Sequence, residues 1–318
     1  MVAILLAVVA TNAIAAEPLR WQLAEGEQWR WTAKQTVTTR RQAVTATGPA
    51  KPLGAVVTVV LHSLWTVEAV GKAFARPEPL PSATAPRQDT ALIRVDLQRL
   101  QLTMNTPPGA ALEYDSAKPP AADDAPALRE VADQFKTLIG AVLYVRMTSR
   151  GEILDAAESQ AGQQSGTPKP QATRPLADAD PAGLRQIVRG GFPLLPERTS
   201  RAGAEWRDRQ TLDSPLGPLL VQRVFRLGPT TDQQELRPLR LRGFVSLQPP
   251  PGGPPPAAKI VSQQWEGEYN FDIRRGKLSR SRVTQSLVIE RSLGQERERV
   301  QTDSSLEASA EAVLSGQP

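Results

Sequence analysis

The chain has 318 residues, no cysteine, one histidine and a net charge of +5. The lack of cysteine excludes disulfides, thiol nucleophiles and thiolate metal sites, and one histidine excludes a multi-histidine metal centre. Hydrophobic residues at 40% and charged residues at 22% suit a globular chain with a sizeable core, while 29 clustered prolines mark stretches without regular structure.

Residues 1–16 read as a signal peptide. The apolar run Val2–Ala10 carries no charge and ends in Ala13-Ile14-Ala15, a small-x-small cleavage pattern. It is shorter than the roughly 20 residues that a spanning helix needs. No second apolar run has membrane length, and no cysteine is present to carry a lipid. The sequence therefore predicts an exported chain, periplasmic or extracellular, with no membrane span after leader cleavage. Nucleic acid is a poor partner for such a chain.

Taken in order, strands are predicted at Gln28–Thr39, Val56–Val70 and Ala91–Asn105. A helix follows, in which Leu128, Val131, Ala132, Phe135, Leu138 and Ile139 form one apolar stripe. Asp124 is its cap, and Pro126 sits in its first turn. After a strand at Val142–Thr148 and a loose segment at 159–178 comes a second helix. Asp180 caps it, Pro181 starts it, Leu184, Ile187 and Val188 form its stripe, and Gly190-Gly191 ends it. Strands at Trp206–Leu212, Pro218–Leu227 and Leu239–Leu247 follow. Proline-rich loops are expected at 77–87 and 249–256.

The segment Gln263–Ile273 alternates Trp265, Gly267, Tyr269 and Phe271 on one face with Gln264, Glu266, Glu268 and Asn270 on the other. A three-residue loop, Arg274-Arg275-Gly276, turns it into a return strand from Lys277 to Arg291. That register sets Glu268 opposite Arg282, Asn270 opposite Arg280 and Gly267 opposite Val283. A four-residue loop would set Arg280 opposite Phe271, so charge pairing favours the shorter one. A third strand spans Glu296–Leu306.

The chain echoes itself. Gly26-Glu27-Gln28-Trp29-Arg30 opens the first half, and Gly203-Ala204-Glu205-Trp206-Arg207 opens the second. Tyr144 to Ile153 and Tyr269 to Leu278 each join an alternating strand to an Arg-Gly turn. The predicted fold is mainly β (α+β): an antiparallel curved sheet or half-barrel from two related β-meander halves, with two short helices. The halves are expected at 17–157 and 190–308, with a loose linker and helix at 158–189 and a disordered tail at 309–318.

Catalytic patterns do not emerge. His62 falls on the polar face of its strand with Thr58, Thr66 and Glu68, and reads as solvent-facing rather than as a base. Gly162-Gln163-Gln164-Ser165-Gly166 lacks the spacing of a nucleophile elbow. The acid pairs Asp123-Asp124 and Asp178/Asp180 sit at helix starts, where capping accounts for them. Phosphate loops and calcium loops are absent from the sequence. Residues 198–242 hold nine arginines against five acids, which suits ordinary solvated faces as well as a surface for an anion. The tryptophans remain. Trp29 and Trp31 share a strand face, and with Trp65, Leu128, Phe135 and Leu138 they could wall an apolar ligand site or simply fill a β core.

The pattern Leu19-Arg20-Trp21, Gly26-Glu27, Trp29 and Trp65-Thr66-Val67 resembles a domain-of-unknown-function family of uncharacterised exported bacterial proteins, frequent in planctomycete-type bacteria. So do Gly151-Glu152-Ile153-Leu154-Asp155, Leu195-Pro196-Glu197, and Gly203 with Trp206. These motifs are turn glycines and core tryptophans covering nearly all of the chain after the leader. The family has no assigned activity, so the resemblance implies no functional residues. This chain departs from it in its short leader and in the proline-rich insertions at 77–87 and 249–256.

Two functions follow as expectations. The first is a non-enzymatic scaffold binding a lipid or other apolar ligand between the sheet and the first helix, with no cofactor. The second is a structural or protein-interaction module of the cell envelope with a solid core and no ligand.

Overall fold

Alternating apolar and polar residues run through most of the chain, and they build one antiparallel sheet. The structure, a computed structural model, describes residues 19–45, 48–49, 51–71, 90–106, 109, 111–118, 120–121, 125–136, 139–140, 142–159, 192–198, 201–212, 216–229, 235–249, 258–293 and 296–313. The leader, the proline-rich loops at 77–87 and 250–256, the second helix expected from Asp180, its Gly190-Gly191 end, and Leu138 lie outside the described residues.

The first meander holds β1 (Gln28–Thr45), the short β2 (Gly48–Pro49) paired to it, β3 (Leu53–Val70), β4 (Thr90–Asn105), the short β5 (Leu112–Asp115), β6 (Val142–Thr148) and β7 (Ile153–Ser159). Helix α1 (Pro126–Lys136) lies between β5 and β6. The second meander holds β8 (Glu205–Leu212), β9 (Leu219–Leu227), β10 (Leu236–Leu247), β11 (Ala258–Asp272), β12 (Lys277–Leu293) and β13 (Glu296–Ala312). Across the sheet the order is β7-β6-β4-β3-β1-β13-β12-β11-β10-β9-β8, with β5 on β4. Both meanders therefore advance in the same direction, and they join where β1 pairs with β13. The path ends at β7 and β8, which do not pair with each other.

The junction explains why the strands outrun expectation. β1 pairs with β13 from Trp29↔Ala312 to Val44↔Arg297. That full-length ladder carries β1 past Thr39. It also carries β13 past Leu306 into the segment 309–318 expected as a loose tail. Helix α1 is described over Pro126–Lys136, and Ile139 N–H donates to the Phe135 carbonyl at 3.3 Å. Gly140 then takes φ +80°, and its N–H donates to the Leu97 carbonyl at 3.2 Å, which turns the chain toward β6.

The hairpin between β11 and β12 keeps the register expected from the three-residue loop away from the turn, but not the loop itself. Glu268↔Arg282, Asn270↔Arg280 and Gly267↔Val283 are cross-strand pairs as expected. Nearer the turn, however, Phe271 faces Leu278 and Asp272 faces Lys277, which leaves a four-residue loop. A β-bulge at Ser279 absorbs the difference, and its Oγ donates to the Asn270 carbonyl at 3.0 Å. Phe271 thus keeps an apolar partner, and Arg280 keeps a polar one.

The opening echo recurs as geometry. Gly26 and Gly203 both take left-handed φ, +80° and +84°. Gly26 N–H donates to the Val67 carbonyl at 2.8 Å, and Val67 N–H donates back to Glu27 at 2.9 Å. Gly203 N–H donates to Leu227 at 2.7 Å, and Leu227 N–H donates back to Ala204 at 2.9 Å. In each case the following tryptophan stacks on an aromatic across the strand pair: Trp29 on Trp65 at 5.8 Å and Trp206 on Phe225 at 5.7 Å between ring centroids.

The sheet curls, because its inner face forms one core from distant strands. Trp65, Ile93 and Val145 of the first meander share a buried cluster with Phe225, Leu239 and Phe271 of the second. A second cluster, Leu61, Leu97, Leu100, Leu102 and Tyr114, lies farther along β3 and β4 and is covered by Leu128, Val131, Ala132 and Phe135 of α1.

Candidate functional site

The segment before β1 bridges the two meanders. Trp21 N–H donates to the Ser149 carbonyl after β6 at 2.8 Å, and Gln22 N–H donates to the Gly276 carbonyl between β11 and β12 at 3.0 Å. Arg20 anchors the strap by donating to the Pro196 carbonyl at 2.7 Å. Two glycines make its path possible. A Cβ on Gly151 would stand 2.6 Å from Trp21 Nε1, and one on Gly276 would stand 2.4 Å from Gln22 Cγ.

Beneath the strap the aromatic rings meet. Phe192 lies 5.3 Å from Trp21, 5.8 Å from Trp31 and 5.1 Å from Trp65, centroid to centroid. The loop carrying it is fixed by Leu195 N–H donating to the Arg150 carbonyl at 2.8 Å and by Trp206 Nε1–H donating to the Leu194 carbonyl at 2.7 Å.

A cleft of about 760 Å³ opens at this end of the sheet. Its apolar wall includes Trp21, Trp29, Trp31, Phe192, Leu278 and Ala310. Its polar side comes from Glu27 and from the β11–β12 turn, which supplies Asp272, Arg274, Arg275 and Lys277. Lys277 is the inner member of that set. Its ammonium pairs with Glu27 and sits 5.6 Å from the centroid of the Trp29 ring. Burial pushes the Lys277 ammonium below the ordinary lysine value. Arg274 and Arg275 are exposed, at 77% and 71%, and pair with Glu235 at 2.6 Å and Asp272 at 3.8 Å. Among the described residues, the buried indole N–H groups of Trp21 and Trp31 have no hydrogen-bond acceptor.

Of the residues expected to wall a ligand site, Trp29 and Trp31 line this cleft. Trp65, at 0% exposure, packs behind them. Leu128 and Phe135 are not brought to the tryptophans: they belong to the α1 cluster, where Phe135 stacks on Tyr114 at 6.3 Å. The cleft at the strap end thus takes in Trp29 and Trp31 from the expected wall, while Leu128 and Phe135 lie with α1 over another stretch of β3 and β4. Sequence reasoning missed Phe192, an isolated aromatic after a glycine pair, and Lys277, which reads only as a turn residue. His62 lies across from Thr32, whose Oγ1 is 3.3 Å from its Nδ1. Among the described residues, no group of three or more acidic or histidine side chains could hold a metal ion. No described helix is long and apolar enough to cross a membrane.

No protein-family model and no curated protein sequence matches the chain. Among solved structures, 93% of the chain aligns with 26% of a lipovitellin chain, at 10% identity and a TM-score of 0.45, so the chain spans about a quarter of that protein. It also aligns over 91% of its length with 89% of the translocator domain of the autotransporter NalP from Neisseria meningitidis, at 9% identity and a TM-score of 0.19. A third alignment covers 93% of the chain and 100% of OccK11 (OpdR) from Pseudomonas aeruginosa, at 8% identity and a TM-score of 0.18.

Proposed function

We propose that this chain is an exported, non-enzymatic β-scaffold that takes an apolar ligand into the cleft under the Trp21–Gln22 strap. The observation that carries this reading is the cleft itself: about 760 Å³ walled by Trp21, Trp29, Trp31 and Phe192. That volume falls within the range of small-molecule pockets, roughly 300–1,000 Å³, and the wall is apolar with a few convergent polar groups. The competing reading, an envelope interaction module with a solid core, expects no such opening.

Binding of the uncharged fluorophore N-phenyl-1-naphthylamine tests the reading, followed by energy transfer from the tryptophans. Saturable binding that brings the probe within transfer distance of the cluster supports it. Probe fluorescence that never saturates, together with unchanged tryptophan emission, would sink it. Export is tested separately, by locating the chain and sequencing its mature N-terminus; an uncut leader in the cytoplasmic fraction would refute it.

A further inference from the structure

A purely hydrocarbon ligand would leave part of the cleft unexplained. Three cations, Arg274, Arg275 and Lys277, stand at one side of it, paired in turn with Glu235, Asp272 and Glu27. The two arginines reach into solvent on a turn whose glycine is pinned under the strap. Lys277 instead sits at the boundary between the charged turn and the Trp29 ring, with 19% of its side chain exposed. Its carboxylate partner, Glu27, is itself in the cleft lining, so a second carboxylate or phosphate entering there would compete for the same ammonium.

We infer that the cleft takes an anionic amphiphile, with its chain along the Trp29–Trp31–Phe192 wall and its anionic head at Lys277, flanked by Arg274 and Arg275. The inference rests on the ligand-binding reading above and narrows its ligand class. The head displaces Glu27 from Lys277, and a charge-assisted pair formed in a partly desolvated place is stronger than one in water. An uncharged chain of equal length gains the same apolar burial without that pair.

The full chain is titrated with decanoate, with decanol and with inorganic phosphate, read by tryptophan fluorescence and by calorimetry. Decanoate is expected to bind about tenfold more tightly than decanol, the order of one charge-assisted contact. Phosphate alone is expected not to bind measurably. Lys277→Met is expected to lower the decanoate-to-decanol affinity ratio toward one. Glu27→Gln is expected to raise that ratio severalfold, a gain that a misfolded variant cannot produce. Arg275→Gln, at an exposed turn position, is expected to lower the ratio less than Lys277→Met. Equal affinity for decanoate and decanol overturns the head-group inference while leaving the apolar cleft standing. Phosphate binding as tightly as decanoate overturns it in favour of a plain anion site. If neither decanoate nor decanol binds, the ligand-binding reading falls, and this inference falls with it.

Discussion

Gln263 takes the place of a backbone strand beside Val245. Its side-chain carbonyl accepts from the Val245 N–H at 2.7 Å, and its amide nitrogen donates to the Val245 carbonyl at 2.9 Å. The backbone ladder between β10 and β11 ends at Arg242↔Glu266. Beyond it the Trp265 ring lies over Gly243, where a Cβ would stand 2.1 Å from ring carbons. The ring holds the strands apart, and Gln263 spans the gap.

Removing that clamp leaves both Val245 groups without partners. Gln263→Ala is expected to cost on the order of 1–3 kcal/mol, from two neutral hydrogen bonds and the exposure of their partners. Hydrogen exchange at the Val245 amide should accelerate more than exchange at Leu241, which lies inside the intact ladder. Gln263→Glu retains the acceptor and loses the donor, so it should fall between. Equal exchange in all three proteins would show that the clamp does not hold the strands.

Gly151 offers a second test, because two costs coincide there. Its φ is +85°, and an added Cβ would meet Trp21 Nε1 at 2.6 Å and the Pro193 carbonyl at 2.7 Å. Gly26 has a similar φ of +80° but nothing within 4 Å of the same Cβ. Gly26→Ala should therefore cost only the backbone strain of about 1–3 kcal/mol. Gly151→Ala should cost clearly more, and it should loosen the strap and red-shift tryptophan emission. Urea unfolding of the two variants decides the matter; equal losses would mean that the Trp21 contact carries no weight.

The strands were the legible part of this chain, and the cleft was not, for physical reasons. Alternation along Gln264 to Phe271 exposes a face directly, and setting Glu268 opposite Arg282 then gives the register, although the Arg282 guanidinium pairs with Glu307 on β13. The bulge at Ser279 was hidden, because a one-residue slip needs only a local hydrogen bond and leaves no pattern. Trp29 and Trp31 reach the cleft because two positions on one strand share a face. Phe192 and Lys277 join them through the curl of the whole sheet, which brings the β11–β12 turn and the segment before β8 to the start of β1. Such long-range placement has no signature within a short window of sequence. Leu128 and Phe135 show the converse: the helical stripe was plain, but which stretch of sheet it would cover was not.

Acid should act first on the second cluster. The Arg99 guanidinium, in ion pair with Asp115, holds that carboxyl well below the usual carboxylate range, helped by the Ala117 N–H at 3.0 Å. A depressed folded-state value contributes stability that is present above the ordinary range near pH 4 and lost as pH falls below it. Asp115 ends β5, whose Tyr114 stacks on Phe135 of α1. Asp115→Asn should therefore lower the unfolding midpoint at neutral pH and loosen α1, and its deficit relative to the native chain should shrink as pH drops toward about 2. A deficit that is independent of pH would assign the loss to packing instead of charge.

Alkali should act on the main core through Tyr269. This side chain is buried among strands β10 to β12, and burial pushes its hydroxyl up to about 12, against the opposing pull of Arg223. A raised folded-state value means that the native state resists losing the proton. The corresponding stability is fully present below the ordinary tyrosine value near 10, and it is lost as pH rises from there through about 12. The whole shift corresponds to on the order of 3 kcal/mol. Tyr114, also raised by burial and by Asp115, titrates in the same direction but lies in the other cluster. Tyr269→Phe should flatten most of the fall in the unfolding midpoint between pH 10 and about 12, whereas Tyr114→Phe should flatten less of it. The phenolate absorbance that grows during alkaline unfolding gives an independent reading: in the native chain the Tyr269 share should appear together with loss of the fold, not before it. A phenolate signal that develops fully while the sheet remains intact would mean that Tyr269 reaches solvent and that its burial does not set the alkaline limit.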